Sequence, residues 1–243
     1  MRRHLSVFAL FSRLALGKVL LILAAMTAAE CALTAVLGFP AAAQPGLWTL
    51  LLGCCFGAAY LGCCFACAGS ASRRSRYGYT MQRLQISERW TLLWHMLSAL
   101  CCLALLYCTQ LLVFFALALL WQRSGSSLGP QSVLLLCYRS RFLHGLLPFG
   151  DSLLWWRNLI FLLSASVTCA SAQLLARYRK QQISAGMTLV YLASRFPLPL
   201  QSSTNAVLSI IVCFVLTLIT LSGAIASAHN GEGRDSYEEA ETP

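Results

Sequence analysis

The sequence predicts an all-α, polytopic transmembrane helix bundle, and two observations carry that prediction. Of its 243 residues, 58% are hydrophobic and 11% charged, and the mean hydropathy is +0.68, far from the composition of a soluble domain. The charged residues also leave uninterrupted apolar runs of the roughly 20 residues that a helix needs to cross about 30 Å of hydrocarbon.

Five runs qualify. The first is Lys18 to Phe39, and a PAAAQP turn separates it from the second, Gly46 to Gly69. The third, Thr91 to Trp121, has 31 residues and at about 1.5 Å per residue outreaches the hydrocarbon, so it must tilt or protrude. The fourth runs from Asn158 to Ala176 and the fifth from Asn205 to Ala228. A further apolar stretch, residues 132–150, is broken by Arg139, Arg141 and His144 and fits an interfacial or re-entrant segment better than a sixth span. Ala41-Ala42-Ala43 fits a signal-peptidase pattern, but the preceding apolar segment spans a whole bilayer, so a retained helix is expected. The chain thus divides into an amphipathic interfacial helix over 1–17, a helical membrane domain over 18–228 and an acidic tail, expected to be disordered, over 229–243. The connections at 122–157 and 177–204 are too short to bury cores of their own.

Lys and Arg are retained on the cytoplasmic side of spans. With the N-terminus inside, the inner set is Arg2, Arg3, Arg13, Lys18, Arg73, Arg74, Arg76, Arg83, Arg89, Arg177, Arg179, Lys180 and Arg195. The outer set is Arg123, Arg139, Arg141, Arg157 and Arg234. The imbalance selects a cytoplasmic N-terminus, and five spans then put the acidic tail outside. The net charge of +10 is accounted for by topology and favours anionic lipid rather than nucleic acid as a partner. The expected location is the plasma membrane. Trp94, Trp121, Trp155 and Trp156 fall near span ends, the depth that amphipathic rings prefer.

The inner loop after the second span reads SRRSRYGYTMQRLQISERW. Its Thr80, Met81, Leu84 and Ser87 fit a short helix lying along the membrane surface. In these residues the chain resembles the membrane-spanning subunits of ABC-2-type exporters, where this loop commonly reads T-L-E-x-L-x-x-[ST]-P. Gln82 replaces the usual Glu, and Glu88 stands at the usual Pro. The resemblance implies a permease-like subunit that a separate cytoplasmic ATPase energises through Thr80, Met81, Gln82, Leu84 and Ser87, in a homo- or hetero-oligomer. It also implies six spans with both ends inside, where the sequence supplies five. A non-transporting accessory or assembly protein is the alternative, and a membrane thiol redox or metal protein the third.

No catalytic residue, cofactor or enzyme activity is expected. The one Gly-Lys pair, Gly17-Lys18, precedes Val19 rather than the Ser or Thr of a P-loop. Gly125–Gly129 matches G-x-S-x-G without a preceding strand. Glu30, inside the first span, is the leading intramembrane polar candidate, because an ionisable group there is costly and needs a partner. His95 and Gln110 are its available partners, and depth favours Gln110; Arg157 is expected to snorkel to the outer headgroups. In GCCFGAAYLGCCFACAG, residues 53–69, the thiols project all round a helix, which argues against a closed metal site. Cys64 and Cys67 remain weak redox or metal candidates. Gly53, Gly57 and Gly62 instead mark faces where helices approach closely, making the second span a packed central helix.

Overall fold

A computed structural model describes residues 2–38, 45–65, 88–123, 145–148, 151–177, 183–195 and 203–240. These form six helices: α1 (Arg2–Leu37), α2 (Pro45–Cys64), α3 (Glu88–Arg123), α4 (Ser152–Arg177), α5 (Ile183–Arg195) and α6 (Ser203–Ala240). All but α5 are long and apolar enough to cross a membrane. Every backbone polar group inside a helix is satisfied within it, which is what hydrocarbon demands. The outward side chains are correspondingly apolar: Leu21, Leu112 and Val190 are each about 70% exposed, a surface suited to lipid and not to water. The chain is a multi-pass helical membrane protein.

The first helix is continuous. Arg2–Leu37 has no boundary at residue 17, since Gly17 costs helix propensity without breaking the hydrogen-bond ladder. Val7, Phe11, Ala15, Val19, Leu23, Met26 and Glu30 are buried, a stripe at spacings of three and four that puts all seven on one face. Phe8 meets Trp94 at 5.8 Å between ring centroids, and Phe11 packs on His95. The leading turns of α1 and α3, both about 54 Å long at 1.5 Å per residue, therefore pack on each other as parallel neighbours. The helix ends at Gly38, whose φ of 76° is the left-handed conformation glycine accepts without strain. Its N–H closes the last turn on the Thr34 carbonyl at 3.0 Å.

The most enclosed span is α4, with 56% of its most apolar window buried against 44% for α2, so the central position expected for the second span belongs to the fourth. Its buried Ser164, Ala165, Ser166, Thr168, Cys169, Ala170, Ser171 and Ala172 are small enough for neighbours to approach from every side. Two of the hydroxyls there are absorbed by the helix itself: Thr168 and Ser166 donate to the carbonyls of Ser164 and Leu163, each at 2.8 Å. The helix starts at Ser152 rather than Asn158 because Arg157, which limits the apolar run in the sequence, is paired inside the protein.

The direction of the helices corrects the topology. Ser164 of α4 meets the Cys213 carbonyl at 3.5 Å and Thr217 Oγ1 at 2.6 Å, at sequence separations of 49 and 53. One helical level further along, Leu174 and Leu175 pack with Ala224. The contacts advance together along both chains, so α4 and α6 run parallel. Two consecutive spans can be parallel only if the chain returns between them, and α5 begins that return. Ala185 faces Tyr60, Leu189 and Ala193 lie nearest Gly57, and Tyr191 meets Phe161 at 6.5 Å between ring centroids. Thus α5 climbs from the Arg177 end of α4 toward its middle, covering about 20 Å at 1.5 Å per residue. It stops at Arg195, ahead of Phe196-Pro197-Leu198-Pro199, where proline cannot continue a helix. The C-terminal end of α6 consequently lies at the same end of the bundle as the start of α1, not at the opposite end as five spans require. Helix continues past Ala228 to Ala240, each added residue extending an existing hydrogen-bond ladder.

Gly57 and Gly62 face α5 and α1 respectively: a Cβ on Gly57 would sit 3.8 Å from Leu189 and 4.0 Å from Ala193, and one on Gly62 would sit 3.9 Å from Lys18 Cβ. These are ordinary van der Waals distances. Gly57→Ala is therefore expected to leave stability within about 1 kcal/mol, while Gly57→Leu, which must displace Leu189, costs about 1–3 kcal/mol; thermal unfolding of the two variants in detergent checks this. Gly53 is buried on the same helix.

Candidate functional site

Three polar or thiol clusters interrupt the apolar interior. The first lies between α1, α2 and α3. Glu30 ends the buried stripe of α1 and is itself fully buried, as is Gln110 of α3. The α1–α3 pairing carries from Phe11–His95 upward and sets the Glu30 carboxyl beside the Gln110 amide, with Cys55 of α2 adjacent. The two groups face each other without a formed hydrogen bond: neither carboxyl oxygen of Glu30 and neither polar atom of Gln110 has a partner among the described residues. Such groups cost about 1–3 kcal/mol each when left unmade. His95 stands apart, against Phe11 at the other end of α3, and does not reach Glu30.

The second cluster sits near the start of α4. Arg157, expected to snorkel outward, is only 1% exposed and turns into the bundle. Its Nε and Nη2 donate to Asn158 Oδ1 at 3.1 and 2.8 Å, and Nη2 also reaches the Gly145 carbonyl at 3.2 Å. Asn158 Nδ2 donates to the carbonyls of Gly145 and Leu146 at 3.0 and 3.2 Å. Tyr107 of α3 also donates to Leu146 O, and the Arg157 guanidinium lies 5.7 Å from the Phe161 ring centre. The physical reason is the helix end at Gly145 and Leu146: the last carbonyls of a helix have no partner within it, and lipid cannot satisfy them. Arg157, Asn158 and Tyr107 supply the missing donors, and the carbonyls in turn solvate the cation.

The third cluster joins α2, α4 and α5. Tyr60, 1% exposed, shares its one hydroxyl proton between Thr168 Oγ1 at 3.0 Å and the Ala185 carbonyl at 3.2 Å. Cys64 Sγ lies 3.4 Å from Cys169 Sγ, and the Cys169 thiol points at the Tyr60 carbonyl at 3.6 Å. Gln173 donates to the Cys63 carbonyl. Cys63 is paired in turn with Cys102 of α3. A narrow opening, lined among others by Cys63, His95, Ser98 and Gln173, lies beside this cluster.

Helical projection correctly spreads the α2 thiols around its axis, yet neighbouring helices bring Cys102 and Cys169 to meet two of them. That meeting is invisible within one helix. Even so, no group of three or more His, Cys, Asp or Glu side chains among the described residues could hold a metal ion. Cys67 and the loop residues Thr80, Met81, Gln82, Leu84 and Ser87 lie outside the described residues. Arg157, Asn158, Tyr60 and Cys169 carry no motif. Only the Arg-Asn pair inside an apolar stretch offered a signal, as an intramembrane cation that needs acceptors nearby.

The chain matches no family model, no curated protein and no solved structure. What these clusters and the fold define is a class: a helical, multi-pass membrane protein with a buried carboxyl–amide pair, a buried cation and a seam of thiols.

Proposed function

We propose that this chain is the permease-like subunit of an ABC-type exporter in the plasma membrane, energised by a separate cytoplasmic ATPase and assembled with itself or with a second membrane subunit. The observation that carries this reading is the parallel pairing of α4 with α6. It brings the C-terminal end of α6 to the same end of the bundle as the N-terminus, in keeping with the six-crossing layout that the inner-loop resemblance implies. Two further features support it. The sequence has no phosphate-cradling loop, so any nucleotide hydrolysis must come from a partner. Glu30 and Gln110 provide unsatisfied polarity inside the membrane, the kind of site where a moving polar substrate or ion finds a foothold.

The test is purification of the full chain in mild detergent from its native host, followed by assay of the preparation for ATP hydrolysis. The reading expects an ATPase to copurify and to be lost when Thr80, Leu84 and Ser87 are changed together to alanine. Purification without hydrolytic activity, or an unaltered complex in the triple variant, removes it.

A further inference from the structure

The third cluster holds two thiols that nothing in the transport reading uses. Cys64 and Cys169 come from different helices, 105 residues apart in sequence, and their sulfurs stand 3.4 Å apart. Cys169 is fully buried and Cys64 is 7% exposed. A disulfide requires sulfurs at about 2.05 Å, so closure asks for a little over 1 Å of approach. Rotation of the two side chains about their Cα–Cβ bonds is the movement available to supply it.

We propose that Cys64 and Cys169 form an oxidisable dithiol, converted by hydrogen peroxide into a disulfide that ties α2 to α4 where α5 docks. Cys64, the more accessible sulfur, attacks first: an S–O bond forms, the peroxide O–O bond breaks, and the departing hydroxide takes the thiol proton to leave as water. Cys169 then attacks the Cys64 sulfur, an S–S bond forms, the S–O bond breaks, and the hydroxide leaves with the Cys169 proton as a second water. Two thiols are oxidised by two electrons and one peroxide is reduced to two waters. A narrow opening reaches Cys63, the residue before Cys64. The product would fix the seam next to Tyr60, whose hydroxyl bridges α2, α4 and α5.

The inference is independent of the exporter reading and is tested without transport. The full chain in lipid nanodiscs is treated with hydrogen peroxide, blocked with iodoacetamide and digested without reductant for peptide mass spectrometry. The Cys64–Cys169 cross-link is expected to exceed any other cysteine pair by about tenfold, as thiol access and proximity dictate, and to revert with dithiothreitol. Cys169→Ala should abolish it, whereas Cys101→Ser, on the exposed side of α3, should leave it unchanged. Denaturing the chain in SDS before oxidation should erase the preference, which separates a folded-state pair from intrinsic reactivity. Alkylation of both thiols after oxidation, or a dominant cross-link between Cys63 and Cys102 or between two copies of the chain, overturns the proposal.

Discussion

Glu30→Leu is expected to raise the thermal midpoint of the bundle in detergent and, if the proposed exporter reading holds, to abolish ATP hydrolysis coupled to export in the same variant. The two effects have one cause. Glu30 is fully buried on the α1 stripe that packs against α3, and among the described residues both its oxygens and both polar atoms of Gln110 go unpaired. Leucine fits the same stripe and removes a desolvated carboxyl, a gain of about 1–3 kcal/mol. A residue kept for packing alone would show the gain without the loss. Glu30→Gln separates charge from shape: it keeps hydrogen-bonding capacity beside Gln110 and should retain more coupled activity than leucine if hydrogen bonding matters, and as little if the proton or charge does. Thermal unfolding by intrinsic fluorescence and ATP hydrolysis of the purified complex are the two readouts. Unchanged hydrolysis in Glu30→Leu would reduce Glu30 to a tolerated imperfection.

Asn158→Leu is expected to cost about 3 kcal/mol, the largest stability loss among single changes outside the apolar core. Asn158 is the hinge of the network. Its Oδ1 accepts twice from Arg157, and its Nδ2 satisfies the carbonyls of Gly145 and Leu146. Leucine would take from the buried guanidinium its two bonds to the Asn158 amide oxygen, and from the Gly145 and Leu146 carbonyls one donor each. Restoring a cation-free site in the double variant Arg157→Leu, Asn158→Leu should recover part of the loss, because the stranded charge rather than the missing amide dominates. Additive losses in the two single variants and the double would show that the residues do not act together.

How much of this the sequence discloses depends on whether a feature is local. Helix existence is local: length and hydropathy alone identify five spans, and the stripe at Val7, Phe11, Ala15, Val19, Leu23, Met26 and Glu30 is visible in spacing once α1 is drawn as one helix. The continuity of α1 through residue 17 is not legible because charge, not a helix breaker, changes there. Direction is not local. The apolar faces of α4 and α6 read the same whether the two run parallel or antiparallel, and the piece that reverses the chain, α5, is too short to register as a span. Pro197 and Pro199 are the trace in sequence of where α5 ends. Arg157 is missed for a related reason: its acceptors are the backbone carbonyls of Gly145 and Leu146 and the amide of its neighbour, and carbonyls have no sequence signature. The thiol pair follows the same logic, since Cys169 is a single cysteine in α4 and acquires meaning only from the helix it faces.

The parallel arrangement of α4 and α6 is the claim on which the topology and the exporter reading both stand, and one measurement addresses it directly. Reporter domains active on only one side of the membrane, fused in turn to the N-terminus and the C-terminus of the full chain, assign a side to each end. The account predicts that both ends are cytoplasmic, as an even number of crossings and the excess of Arg and Lys beside the N-terminus require. An N-terminus inside with a C-terminus outside would contradict it.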